Sequence, residues 1–227
     1  MRMVIFGATG MVGQGGLREC LRDPQVTRVL AVGRRPTGVS HPKLAELVRG
    51  DFHDWSDADD TLAAYDACFF TLGVSAAGMS EADYTRTTYD LTLAAATALA
   101  RLNPGMTFIY VSGQGTDSSM TGRAMWARVK GRTENALLGL PFRAAYMFRP
   151  GMIQPVEGVR PSNAGIAFVT KVPRCVKASQ RRWVTAPRKM ARAARATSDG
   201  VMASVCANRV CQRSDSSVIV AFSRMAT

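Results

Sequence analysis

The run Gly7-Ala8-Thr9-Gly10-Met11-Val12-Gly13 constrains the fold of this chain more than any other feature. A strand-length apolar run, Met3–Phe6, leads into it, and Gly13–Arg22, with Leu17 and Leu21 on one helical face, follows. A strand that passes into a helix through three glycines gathers bare backbone amides and a helix N-terminus at one point, which makes a cradle for phosphate. Glycine is required because the turn uses positive φ angles and because a side chain would hold a phosphate away from the backbone. The spacing is GxxGxxG, a variant of the GxGxxG of dinucleotide-binding folds, and the strand before and helix after give it that meaning. No Lys-Ser or Lys-Thr follows the glycines, which excludes a P-loop. Gly7, Thr9, Gly10, Met11, Val12 and Gly13 are therefore expected to bind a dinucleotide pyrophosphate.

Further along, apolar runs at Arg28–Val32, Ala67–Leu72, Thr107–Val111 and Arg143–Phe148 alternate with helical stretches. Glu81–Arg101 is rich in Ala and Leu and stops at Asn103-Pro104-Gly105, while Ala124–Leu138 is closed by Gly139 and Pro141. Strands alternating with helices build a parallel sheet. Continuous rather than alternating apolar strands fit a sheet covered on both faces. The expected fold class is α/β, a Rossmann-like doubly wound parallel sheet with a small, irregular C-terminal region on the substrate side. Residues 1–155 are expected to form the dinucleotide-binding domain and 156–227 an extension. Pro155, just before that extension, and Pro161, Pro173 and Pro187 within it interrupt every helical candidate but one. It keeps one candidate helix, Pro187–Thr197, and one candidate strand, Val218–Phe222.

Three further positions bear on the cofactor. Arg34-Arg35 follow the second strand, where NAD-preferring proteins place an acid on the ribose 2′-hydroxyl. A guanidinium pairs with a 2′-phosphate that a carboxylate would repel, so these residues favour NADP over NAD. They also count against an S-adenosylmethionine methyltransferase, which shares the glycine-rich first turn. Asp51-Phe52 follow the third strand, where an acidic-aromatic pair flanks an adenine, and Leu72-Gly73 end the fourth, where small residues let the backbone pass close to the cofactor.

With these residues in view, the chain resembles the atypical or extended short-chain dehydrogenases/reductases, in their epimerase-like and Tat-interacting-protein-like branch. The likeness is carried by residues 7–13, Gly33-Arg34-Arg35, Gly50-Asp51-Phe52, Tyr110-Val111-Ser112-Gly113, Met125–Gly131 and Phe148-Arg149-Pro150-Gly151. It implies an oxidoreductase acting on a small carbonyl or alcohol. In that family a serine after the fifth strand works with a Tyr-x-x-x-Lys pair. The tyrosine gives or takes a proton, and the lysine lowers its pKa and binds the nicotinamide ribose. The resemblance makes Ser112 the serine and Lys130 the lysine, but Trp126 stands at the tyrosine position. An indole N–H only donates and cannot act as a general acid near pH 7. The alternative to a catalyst with an atypical site is a non-catalytic NADPH-binding sensor or interaction module. Thr116, Asp117, Ser118 and Ser119 are further candidates for substrate contacts, unranked by the sequence.

Charge and cysteine complete the expectations. The net charge of +12 is uneven: residues 1–150 hold 16 Lys+Arg and 14 Asp+Glu, and residues 151–227 hold 13 and 3. A basic tail suits a polyanion, yet no nucleic-acid module is recognisable there. The family pattern fades near Gly158-Val159-Arg160, and a change of reading frame in the gene is a second explanation for the turn to arginine and serine. The five cysteines have no metal-ligand spacing, so no metal is expected. There is no apolar run of the ~20 residues a membrane helix needs. A start at MRMVIFG, without a secretory pattern, leads to the expectation of a cytoplasmic protein. The expected partner is a small-molecule substrate, with no nucleic acid or membrane, and the chain is expected to be a monomer or homodimer.

Overall fold

Six short parallel strands, in the order β3-β2-β1-β4-β5-β6, form the single sheet of the computed structural model, which describes residues 1–151. The strands are β1 (Arg2–Phe6), β2 (Arg28–Gly33), β3 (Leu44–Val48), β4 (Ala67–Phe70), β5 (Thr107–Val111) and β6 (Ala144–Phe148). The helices are α1 (Met11–Arg22), α2 (Asp59–Leu62), α3 (Glu81–Thr85), α4 (Leu91–Leu102) and α5 (Met125–Leu138). Each crossover returns the chain in the same direction, so every ladder is parallel. The order reverses between β1 and β4, and the crevice beyond the carboxyl ends of these strands is where such sheets bind ligands.

Central strands bury both faces, which explains their unbroken apolar character. Met3, Val4, Ile5 and Phe6 in β1 and all four residues of β4 are buried. One face packs Phe6, Phe70, Phe108 and Tyr110 with Trp55 and Leu99, including stacked Phe6–Phe70 rings at 5.0 Å between centroids. The other packs Ile5, Val29, Phe69 and Ile109 beneath Leu17 and Cys20 of α1. Gly16 lets α1 settle on this face, because a Cβ there would lie 2.5 Å from the Phe69 ring. At the ends of the sheet burial falls, and β6 is half-buried along its length.

Several bounds shift by a residue or two, and two departures from expectation bear on the chain's path. The apolar run at Ala67–Leu72 leaves the ladder after Phe70, because the Thr71 hydroxyl turns back to the Phe6 carbonyl at 2.6 Å. The stretch expected as one helix over Glu81–Arg101 is α3 and α4 joined through a π-helical turn, Arg86–Asp90. There the Thr87 hydroxyl donates to the Asp83 carbonyl at 2.9 Å, competing with the regular backbone ladder. The candidate helix Pro187–Thr197, the candidate strand Val218–Phe222 and the rest of the extension lie outside the described residues.

Candidate functional site

The glycine turn sits at the carboxyl end of β1, beside the crevice. Gly7 has φ +78°, a left-handed conformation that favours glycine. Its carbonyl accepts the Gly10 N–H at 2.9 Å, and the Thr71 hydroxyl lies 3.2 Å from the same oxygen. Gly10 caps α1 with ordinary extended backbone and no side-chain cap, which leaves the first amides of the helix for another acceptor. Gly13 is buried in the first turn of α1, where a Cβ would overlap the Gly7 carbonyl. Helix and turn thus meet backbone to backbone. Thr9 is exposed, with its carbonyl accepting from Gln14 Nε2 at 2.7 Å, and Met11 and Val12 are half-buried. Such a cradle fits a pyrophosphate group.

Arg34 and Arg35 are both exposed immediately beyond β2, on the same carboxyl edge as the glycine turn. Asp51 is exposed in the next loop. That loop is braced by Arg49, which donates to the Asp51 and Asp54 carbonyls at 2.6 Å each and lies 4.4 Å over the Trp55 ring. Phe52 requires a correction: its ring is buried in the core, edge-on to Trp55, and is not offered to an adenine. Beyond β4, Leu72 is half-buried and Gly73 exposed, with nothing within 4 Å of a Cβ at Gly73.

Ser112 follows β5 and is buried, its N–H donating to the Phe148 carbonyl at 2.8 Å. The loop after it folds back on α5. Asp117 N–H donates to the Ala127 carbonyl at 3.1 Å, and a Cβ at Gly131 would overlap the Asp117 carbonyl. Glycine directly after Lys130 therefore allows the loop to touch the helix. Trp126 and Lys130, one helical turn apart, each directly precede one of the two helix residues in this contact, Ala127 and Gly131. The Trp126 indole covers the loop glycines, 3.3 Å from where a Gly115 Cβ would stand. Lys130 Nζ lies 5.5 Å over the Tyr110 ring. Burial pulls the Lys130 pKa below the ordinary lysine range, and Glu134 one turn further on opposes the shift.

Three of the tyrosines among the described residues are engaged elsewhere. Tyr84 and Tyr110 are buried in the core, and burial raises both phenols above their usual range. Tyr89 lies under Arg132, 4.1 Å from ring centroid to guanidinium carbon.

The four side chains the sequence left unranked are held by different partners. Ser119 and Asp117 hold each other, with 2.5 Å between Oγ and Oδ1, and these bonds lower the Asp117 pKa. Ser118 Oγ accepts from Arg149, which also pairs with the buried carboxylate of Glu134. Thr116 alone of the four bonds Ser112, at 2.8 Å. The supporting roles of Thr71, Gln14 and Glu134 have no short motif that announces them.

Comparison with known proteins agrees with this geometry. Residues 3–127 match the model of the NAD dependent epimerase/dehydratase family. The chain belongs to that family. The mitochondrial protein fmp52 of Emericella nidulans is 31% identical over 174 residues, covering 73% of each chain. Among solved structures, the dTDP-glucose 4,6-dehydratase DesIV of Streptomyces venezuelae, with NAD and TYD bound, has a TM-score of 0.56 at 18% identity. It covers 75% of this chain and 61% of its own. A nucleoside-diphosphate-sugar epimerase from Agrobacterium tumefaciens has a TM-score of 0.53 at 19% identity, covering 75% and 58%. The chain thus spans less than two thirds of these two enzymes, and the likeness to them is one of fold. As a family member the chain is an NAD(P)-binding, oxidoreductase-like protein. The expectation of a cytoplasmic protein is corrected by the fmp52 relatives, which are named mitochondrial.

Proposed function

We propose that the chain binds NADP(H) through the glycine turn and Arg34-Arg35, and that the cleft beside Ser112 and Lys130 receives a small carbonyl or alcohol. What supports this reading is the Gly7–Gly13 cradle at the carboxyl end of β1, together with Ser112 at the carboxyl end of β5 in the same parallel sheet and the following loop that packs on Trp126 of α5. When bound, the dinucleotide supplies or accepts a hydride. The chain supplies the rest. The amides of the glycine turn hold the pyrophosphate, Arg34 and Arg35 pair with a 2′-phosphate, and Lys130 donates to the nicotinamide ribose. Asp51 and the backbone near Gly73 border the adenine and the nicotinamide side.

Proton transfer is where the chain departs from its family. Trp126 packs on the loop, but it offers no titratable proton. Turnover is therefore weak or absent, and this favours a second reading in which NADPH occupancy, rather than product, is the output. Trp126→Tyr separates the two. In the catalytic reading it raises NADPH-dependent turnover of a carbonyl panel by about 10²–10⁴-fold, the range of general acid catalysis. No gain in a variant that still binds NADPH favours the sensor. Substantial wild-type turnover that Trp126→Phe leaves unchanged overturns the significance given to the missing tyrosine. The setting we propose is mitochondrial, as named for the relatives, with the chain a monomer or homodimer.

A further inference from the structure

We propose that Thr116 is a positioning residue that commits the proton of Ser112, so that Ser112 meets its ligand as an acceptor and selects an alcohol over a carbonyl. A hydroxyl carries one proton. Thr116 Oγ1 lies 2.7 Å from the Gly113 carbonyl, and that oxygen can only accept, so the Thr116 proton goes there. Ser112 Oγ lies 2.8 Å from Thr116 Oγ1, and with the Thr116 proton taken, Ser112 is the donor between them. The bonds run from Ser112 to Thr116 to the Gly113 carbonyl. What Ser112 has left for a ligand is lone pairs.

The turn holds this direction in place. Thr116 is fixed by its backbone as well, its N–H donating to the same Gly113 carbonyl at 3.2 Å. Gly115 takes φ +86° to close the turn, and the Trp126 ring lies against it. Ser112 and Thr116 are both buried, so swinging the Ser112 proton toward a ligand breaks a hydrogen bond that little water can replace. The nearby hydroxyls of Ser118 and Ser119 are held by Arg149 and Asp117. A ligand that brings its own donor, such as an alcohol, fits this arrangement. A bare carbonyl places acceptor against acceptor.

The selectivity rests on the reading of Ser112 as a residue of the ligand cleft, whereas the direction of the proton does not. Neutron diffraction from deuterium-exchanged crystals of the full chain reads that direction. The expected map shows the Ser112 deuteron on the line to Thr116 Oγ1 and the Thr116 deuteron on the line to the Gly113 carbonyl. A Ser112 deuteron directed into the cleft overturns the proposal. Selectivity is read by saturation-transfer NMR with cyclohexanol and cyclohexanone on the NADP(H)-saturated chain. Wild type is expected to favour the alcohol by about tenfold, one lost hydrogen bond. Thr116→Val, which frees the Ser112 proton, is expected to remove that preference, and Thr116→Ser to retain it. Equal ratios in all three proteins, or no binding of either probe to wild type, overturn the selectivity. A separate titration showing no NADP(H) binding counts against the cofactor reading and leaves the neutron result standing.

Discussion

Replacing Gly13 by alanine tests the glycine cradle through its most crowded contact. The new methyl would overlap the Gly7 carbonyl and come within 2.8 Å of Thr71 Oγ1. Neither neighbour yields easily. The Gly7 carbonyl holds the Gly10 N–H, and the Thr71 hydroxyl is bound 2.6 Å from the Phe6 carbonyl. The start of α1 must therefore lift off the turn. Overpacking against backbone lies at the upper end of its usual cost, about 3 kcal/mol. Removing a glycine from a helix returns about 1 kcal/mol. The net loss is about 2 kcal/mol, a fall in Tm of about 4–8 °C for a chain of this size. The control is Gly10→Ala, at ordinary φ −76° and with only the Gly7 carbonyl, at 3.3 Å, near its Cβ. It should unfold near the wild-type temperature yet bind NADPH at least tenfold more weakly, because its methyl stands where the phosphate approaches. Circular dichroism melts and NADPH fluorescence titrations give both quantities. A Gly13→Ala protein with unchanged Tm and unchanged NADPH affinity would refute the account of the turn.

Other consequences follow from the α5 side of the site. Glu134→Gln leaves the half-buried Arg149 guanidinium without a carboxylate partner and should lower stability by about 1–3 kcal/mol in urea titrations. A change below about 0.5 kcal/mol would show that the pair does not hold the loop to the helix. Lys130 should impart a pH dependence to cofactor binding. Its pKa is lowered by burial, so as pH rises it loses its charge before an ordinary lysine, near 10.4, would. NADPH affinity is expected to fall over that earlier window, and Lys130→Met should abolish that limb of the profile. A limb that survives in Lys130→Met belongs to another group.

Much of the fold was legible because the sheet is buried on both faces. Met3–Phe6 is apolar throughout and Thr107–Val111 carries no charge to hide its character, and the glycines of residues 7–13 announce both the turn and the helix after it. What escaped notice depends on contacts between distant residues. The π-helical turn at Arg86–Asp90, where the Thr87 hydroxyl donates to the Asp83 carbonyl, is not revealed by periodicity. Phe52 looks like a ligand-facing aromatic in sequence, but Trp55 three residues on draws it into the core. The roles of Ser112 and Lys130 rest on family pattern alone. Choosing Thr116 among four neighbouring polar residues needed the loop's own hydrogen bonds.

The central claim is that this chain binds NADP(H) in preference to NAD(H). Fluorescence titration of the purified chain with NADPH and then with NADH tests it most directly. NADPH should bind at least tenfold more tightly, and Arg34→Ser with Arg35→Ser should reduce NADPH to the NADH level while leaving NADH binding unchanged. Equal affinities would contradict the role given to Arg34 and Arg35, and no binding of either dinucleotide would contradict the cofactor site itself.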